Sequence, residues 1–324
     1  MKLTILNTNG YRLLSVAAIV DVFETVNRYL VADGETPLFE INFVGLEEAP
    51  NLDGSFSDYQ YYPVRKVDFI SDLVFVPAFS SRNMPQLISE NSAFVPFLQT
   101  QNESKSVLVS LCTGSFLLAA SGLLNGKPAT THIEAAGQFS EAFPEVNIQP
   151  HAIITESENV YTSGGATSSF HLKLHLIQKI CGRTMAIRIA KNFAIDLDRN
   201  NQLYFEQFKP GLVEDDELVR SVQEFINHRY SQIKSIEEAL EEVPSSRRNI
   251  IRRFKQSTGI TPIRYLQKTR IEAAKKLLET TNKDILDVMI SSGYNDMKNF
   301  RNLFKSFTGL TPSSYREKYG MRLG

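Results

Sequence analysis

A chain of 324 residues has room for about two domains. At 42% hydrophobic and 22% charged residues, it is not disordered over most of its length. A net charge of −1 argues at first sight against a nucleic-acid binder, but the sum says nothing of how the charge is arranged. Two cysteines, Cys112 and Cys181, cannot build a disulfide framework, and no CxxC pair suggests zinc, so a reducing compartment fits. The first residues read as a strand rather than a signal peptide, and no apolar stretch approaches the ~18 residues of a membrane span. The expected location is the cytoplasm.

In chain order, Leu3–Leu6, Phe39–Val44, Leu73–Pro77 and Val107–Leu111 are short, apolar and partly β-branched, as strands are. Helical stretches such as Ala17–Leu30 and Ser115–Ser121 lie between and after them. This alternation predicts an α/β domain of flavodoxin-like type, with a mostly parallel sheet covered on both faces.

The strand Val107–Leu111 runs into a helix through Cys112-Thr113-Gly114. A side chain at such a turn projects over the C-terminal edge of the sheet, where ligands bind in open α/β folds. A helix N-terminus there is expected to lower a thiol pKa. Downstream, His132 supplies an imidazole. Cys112 and His132 are therefore candidates for catalysis, although Cys112 also reads as a small buried residue or as the lining of a ligand pocket without turnover. His171 and His175 stand four apart on a helix, a spacing that can bind metal, but no Glu or Cys nearby completes a ligand set. No metal and no cofactor are expected. His151, His228 and Cys181 read as structural or surface residues.

Phe208-Lys209-Pro210-Gly211, followed by Glu214-Asp215-Asp216-Glu217, marks the joint between domains. The acidic run suits the N-terminus of a following helix. The joint also divides the charge. Residues 1–210 carry 15 basic and 21 acidic residues, net −6, and residues 211–324 carry 20 and 15, net +5. Residues 245–324 alone hold 17 basic and 6 acidic residues, net +11. Such asymmetry points to a nucleic-acid-binding domain joined to an acidic partner. The expected domains are 1–207, a linker 208–217 and 218–324.

The last 80 residues contain a duplication. The twelve residues from Phe254 to Tyr265 recur from Phe304 to Tyr315 with seven identities and no gap. In each copy a Gly ends a helix in the left-handed conformation, a Thr caps the next helix, and a Pro occupies its first turn. Phe300, Leu303, Phe304 and Phe307 form a buried stripe at i, i+3, i+4, i+7, and Ile250, Ile251 and Phe254 do so in the first copy. A shorter helix precedes each longer one, over Ser235–Glu242 and Asp284–Ser291. Short helix, turn and polar-faced longer helix is the helix-turn-helix pattern, with units at about 235–259 and 284–309 in an all-α domain. The outward side chains suit phosphate, guanine and adenine: Ser246, Arg247, Arg248, Asn249 and Arg252 in the first unit, and Asn295, Lys298, Asn299, Arg301, Asn302 and Lys305 in the second. A connecting helix, Pro262–Glu279, is expected to present one apolar side of Ile263, Leu266, Ile271, Ala274 and Leu278. It would hold the units about one DNA turn apart, ~34 Å.

These residues carry a resemblance. Residues 235–316 resemble the double helix-turn-helix domain of the AraC/XylS regulators through Thr258-Gly259-x-Thr261-Pro262-x-x-Tyr265, Gly293-Tyr294-x-Asp296-x-x-x-Phe300 and Gly309-x-Thr311-Pro312-x-x-Tyr315-Arg316. Residues 1–205 resemble the ThiJ/PfpI domain, related to class I glutamine amidotransferases, through Asp21-Val22-Phe23-Glu24, Leu111-Cys112-Thr113-Gly114, Ala129-Thr130-Thr131-His132 and Thr162-Ser163-Gly164-Gly165. The whole chain is similar to GlxA-like regulators, which join these two domains. The sequence departs from catalytic relatives in three places. Thr113 stands where many carry His, Ser15 stands near where related regulators usually carry Asp, and Val76-Pro77-Ala78-Phe79 replaces the usual Pro-Gly-Gly, so that a glycine-built oxyanion nest is lost.

The resemblance implies a DNA-binding transcription regulator whose first domain senses a small metabolite at Ser15, Cys112, Thr113 and His132 without turning it over. Its partners would be double-stranded promoter DNA, the effector, a second copy of itself and RNA polymerase, with no membrane. The alternative is a cysteine-dependent amidase or hydratase with a DNA-binding appendage, and a third reading is a redox sensor using Cys112.

Overall fold

The computed structural model of the protein describes residues 1–48, 54–80, 83–165, 167–196, 212–213, 215–241 and 243–320. Two compact units emerge, Met1–Gln202 and Leu203–Gly324. The expected joint at Phe208–Gly211 and Glu214 lies outside the described residues.

The first unit is built on a seven-stranded sheet. Its strands are β1 (Lys2–Asn7), β2 (Glu40–Gly45), β3 (Gln60–Pro63), β4 (Leu73–Val76), β5 (Val107–Leu111), β8 (Ile154–Ser157) and β9 (Val160–Ser163). A separate pair is formed by β6 (Pro128–Ala129) and β7 (Asn147–Ile148). The sheet order is β3-β2-β1-β4-β5-β9-β8, parallel throughout except where β8 returns beside β9. Side chains alternate between two cores, as strand geometry requires. Leu73 and Phe75 join the core under α1 (Leu13–Ala32) and α6 (Ser168–Asn192). Val74 and Val76 join the opposite core under α2 (Met84–Glu90), α3 (Phe94–Glu103), α4 (Ser115–Ala120) and α5 (Ala136–Ala142). The expected mostly parallel α/β fold is therefore present, and α6 is kinked at Gly182. The strand order reverses direction between β1 and β4. That crevice at the carboxyl edge is where open α/β sheets bind ligands.

The second unit is helical: α7 (Glu217–Arg229), α8 (Ile236–Glu241), α9 (Arg247–Thr258), α10 (Pro262–Thr280), α11 (Ile285–Ser291), α12 (Met297–Thr308) and α13 (Pro312–Tyr319). Side-chain caps start most of them. Asp216 accepts from Val219 N, Ser246 from Asn249 N, Thr261 from Arg264 N, Asp284 from Asp287 N, Asp296 from Asn299 N and Thr311 from Ser314 N. Gly259 and Gly309 end α9 and α12 with φ of 75° and 77°, the left-handed geometry that a Cβ disfavours. The Thr before each Gly repeats one arrangement: Thr258 Oγ1 donates to Phe254 O at 2.6 Å, and Thr308 Oγ1 to Phe304 O at 2.8 Å.

The connecting helix differs from expectation. Ile263 is 44% exposed rather than part of an apolar side. Tyr265 and Leu266 enter one core with α7, α8 and α9, whereas Ile271, Ala274 and Leu278 enter another with α11, α12 and α13. At about 100° per residue the two buried faces lie on roughly opposite sides of α10. A helix that serves two cores in succession needs two short stripes, and Ile263 falls between them.

Candidate functional site

The elbow after β5 is sharp. Cys112 has φ 55°, an uncommon conformation for a residue with a Cβ, and strain of this kind costs about 1–3 kcal/mol. Gly114 lets the elbow close onto β4, because a Cβ there would sit 2.6 Å from the carbonyl oxygens of Val76 and Pro77. The backbone of Cys112 is tied on several sides. Its N–H donates to Ser163 Oγ at 3.4 Å, and its carbonyl accepts from Ser115 Oγ at 3.1 Å and from Thr131 Oγ1 at 3.2 Å.

A cavity of about 280 Å³ opens beside it, lined by Tyr11, Arg12, Ser15, Ala78, Cys112 and His132 among others. The lining comes from the loops after β1, β4 and β5, the first turn of α1, the segment after β6 and the start of α6. The loops after β1 and β4 are cross-linked. Arg12 N donates to Ala78 O at 2.7 Å, Ser80 N to Gly10 O at 2.7 Å, and Arg12 Nε to Phe79 O at 3.0 Å.

Three of the four residues expected at an effector site, Ser15, Cys112 and His132, line this cavity. Thr113 stands off the lining: its hydroxyl accepts from Phe79 N at 2.8 Å and lies 3.1 Å from Phe79 O. Ser15 Oγ accepts from Ala78 N at 2.9 Å. The two amide donors that a glycine loop could offer an oxyanion are thus taken by side chains. Burial pushes the Cys112 thiol up, the reverse of the lowering expected at a helix start; the turn after β5 is a short 3₁₀ segment, and the sulfur sits in a nearly closed site. Burial also pushes the His132 imidazole down. Its Nδ1 accepts from Glu134 N at 3.2 Å, which places the remaining proton on Nε2. A neutral ring in that tautomer has no free nitrogen with which to deprotonate a thiol.

Ala78 and Leu111 also line the cavity, as do Tyr11, Arg12, Leu13, Leu14, Ser80 and Ser169, which no motif singles out. The usable signal was positional: Tyr11 and Arg12 follow β1, which ends at the same sheet edge. His171 and His175 do not converge. His171 lies 2.8 Å from Asp196 O, and His175 lies 2.9 Å from Glu156 Oε2. Among the described residues no cluster of three or more potential metal ligands forms.

In the helical unit, α12 buries Phe300, Phe304 and Phe307 and exposes Lys298, Asn299, Arg301, Asn302 and Lys305 along one face. Among the described residues, the side chains of Lys298, Arg301, Asn302 and Lys305 have no hydrogen-bond or ion-pair partner. Asn295 is exposed in the turn before this helix. On α9, Arg247, Arg248 and Arg252 are exposed and Asn249 is half-buried. Arg252 donates to Asn249 Oδ1 at 2.9 Å and to Gln256 Oε1 at 3.2 Å, Asn249 donates to Ser245 Oγ at 2.8 Å, and Arg247 pairs with Glu237 at 2.7 Å. Arg253 reaches away from this face and grips both carboxylate oxygens of Asp216 at 2.8 and 2.9 Å.

Comparison with known proteins agrees with both halves. Residues 71–179 match the DJ-1/PfpI family, and residues 240–318 match a helix-turn-helix domain family. The HTH-type transcriptional regulator CdhR of Pseudomonas aeruginosa is 26% identical over 319 residues, 95% of this chain and 89% of CdhR. The HTH-type transcriptional regulator GbdR of Pseudomonas aeruginosa is 29% identical over 231 residues, 71% of this chain but 62% of GbdR, so less than two thirds of that protein is matched. A solved structure described as a candidate transcriptional regulator from Vibrio parahaemolyticus overlays with TM-score 0.50 at 19% identity, covering 60% of this chain and 98% of its own. That likeness concerns the fold. Among the described residues, no helix is long and apolar enough to cross a membrane.

Proposed function

We propose that this chain, which joins a DJ-1/PfpI-type α/β domain to an AraC-type double helix-turn-helix domain, is a cytoplasmic, sequence-specific transcription regulator that senses a small metabolite. Residues 1–207 form the sensor, 208–217 the linker and 218–324 the DNA-binding domain. Its partners are promoter DNA, the effector, a second copy of the chain and RNA polymerase.

The observation that carries this reading is the face of α12. Two lysines, one arginine and two amides stand along one helix side, opposite a phenylalanine stripe, after a capped turn. A solvated structural helix also exposes charge, but the duplication with α9 and the excess of basic residues in the last 80 positions favour a nucleic acid. A mobility-shift assay against promoter fragments tests it. Lys298→Ala, Arg301→Ala and Arg248→Ala should each weaken binding, and a wild-type chain that shows no sequence preference overturns the reading.

The effector site is the cavity beside Cys112, with Ser15, Cys112 and His132 on its wall and Thr113 supporting it through Phe79. Sensing without turnover is favoured by the raised thiol, the occupied Ala78 and Phe79 amides and the Nε2–H tautomer of His132. The elbow at Cys112 is what a cysteine-dependent amidase or hydratase would rest on. That alternative requires rapid alkylation of Cys112 by iodoacetamide near neutral pH and turnover lost in Cys112→Ser.

A further inference from the structure

The cavity beside Cys112 carries one formal charge on its described lining, and that charge is positive. Among its described lining residues Arg12 is charged, none is a carboxylate, and Tyr11 is the one phenol or benzene ring besides the His132 imidazole. The Arg12 guanidinium is anchored by Nε on Phe79 O, a bond that does not use its two terminal nitrogens. Leu13, Leu14 and Ser15 bring in the first turn of α1, a 20-residue helix whose N-cap residue, Arg12, supplies no side-chain acceptor. That turn adds a positive dipole end.

A second, independent feature lies one hydrogen bond behind the wall. Lys173 is fully buried, and its Nζ donates to Ser169 Oγ at 3.2 Å, with the Phe170 ring at 4.4 Å. Ser169 itself lines the cavity. Among the described residues no carboxylate pairs with Lys173. A buried ammonium without a counter-charge is costly, and desolvation holds the Lys173 pKa down to about 7. An anion seated against Ser169 and Arg12 supplies the missing charge. A cationic head would find no carboxylate and little aromatic surface there. The aliphatic part of the wall comes from Leu13, Leu14, Leu111 and Ala78.

Building on the sensor reading above, we propose that the effector is a small monocarboxylate with a short apolar tail. Its charge is met by Arg12, by the first turn of α1 and, through Ser169, by Lys173. Arg12 and Lys173 set its charge class, and Leu13, Leu14 and Leu111 hold its tail.

Thermal shift and calorimetry on the full chain test this with isovalerate, isovaleramide and isopentylamine, which share one shape and differ in charge, beside straight-chain monocarboxylates of two to six carbons. The carboxylates alone should raise Tm, as a native-state ligand does. Arg12→Gln and Lys173→Met should each weaken their Kd by about tenfold or more, with ligand-free Tm as the folding control. Stabilisation by the amide or amine equal to that by the carboxylate overturns the proposal, as does carboxylate binding unchanged in both variants. Ala78→Leu, which narrows the cavity, separates the two levels. If neutral or cationic metabolites stabilise the wild type but not Ala78→Leu, the anion assignment falls and the sensor site stands. If no compound of any class responds, or responses survive Ala78→Leu, both fall.

Discussion

Set side by side, the two helix-turn-helix units keep the same glycine stops, the same threonine hydrogen bonds and the same Thr-Pro start to the following helix, yet rest on different foundations. In α12 the buried face is Phe300, Phe304 and Phe307, with the Tyr294 ring tilted against Phe300 at 5.3 Å and the Tyr315 ring edge-on to Phe304 at 5.4 Å. In α9 the fully buried pair is Ile250 and Phe254; Phe254 meets Tyr265 edge-on at 5.4 Å just as Phe304 meets Tyr315, but Ile250 stands where α12 has Phe300 and exposed Ser257 where it has Phe307. The outward faces differ in the opposite sense. The cations of α12 are free of partners among the described residues, whereas Arg252, Arg253 and Arg247 of α9 are held by Asn249 and Gln256, by Asp216 and by Glu237. A side chain that must first release an intramolecular partner returns less net free energy on binding. Duplication has thus yielded one unit that adds Tyr294, Phe300 and Phe307 to the shared Phe–Tyr pair and keeps a free contact face, and one whose outward side chains are tied by polar links to their neighbours.

The largest expected effect lies in the aromatic foundation. Phe304→Ala should destabilise the helical unit by about 3–5 kcal/mol, measured by urea unfolding. Phe307→Ala should also be costly, whereas Ser257→Ala should be close to neutral; equal effects at 257 and 307 would erase the contrast. On DNA, Lys298→Ala and Arg301→Ala should lose about 1–3 kcal/mol each where they touch bases, and Arg252→Ala less. Fluorescence anisotropy at fixed salt measures this, and equal losses on both helices break the comparison. Smaller still is Asp216→Asn, which keeps the cap of α7 but weakens the grip on Arg253. The pair is partly exposed, so the cost should be about 0.5–1 kcal/mol.

A pH prediction concerns the other domain. Because the Lys173 pKa falls to about 7 in the folded chain from 10.5, the native state binds fewer protons than the unfolded state between those values. Its contribution to stability therefore rises with pH across that window. The stability gap between Lys173→Met and wild type should be widest near pH 7 and close as pH rises towards 10. A gap that does not change with pH contradicts it.

Much of this was legible because it is written locally. Strand alternation, the Gly and Thr-Pro signals at 259–262 and 309–312 and the stripe of Phe300, Phe304 and Phe307 each depend on neighbours within a turn or two. The cavity was harder to read, because residues 11–15, 78–80, 111–112, 132 and 169 meet through sheet order rather than spacing. Cys112 and His132 were visible as reactive types. Arg12 and Lys173 were not, since a lone arginine after a strand and a lysine inside Leu172-Lys173-Leu174 read as ordinary surface charge until burial is known. Thr113 was placed correctly at the turn, but its side chain satisfies a backbone amide, a choice settled by the distant Phe79. On α10 the reading failed because two stripes for two cores look like one when only spacing is considered.

That connecting helix behaves as a shaft carrying its two bearings on opposite sides. Arg264 lies 3.8 Å over Phe307, and Arg270 donates to Tyr230 O at 2.8 Å while facing Tyr294, so the first turn and the middle of the helix are keyed against rotation. The angular phase between α9 and α12 is then set by the residue count of α10 rather than by any adjustable interface. One alanine inserted between Lys268 and Thr269 would turn the second unit by about 100° and advance it by about 1.5 Å. Each unit would keep its own core and cap, yet the pair could no longer address one side of a duplex together.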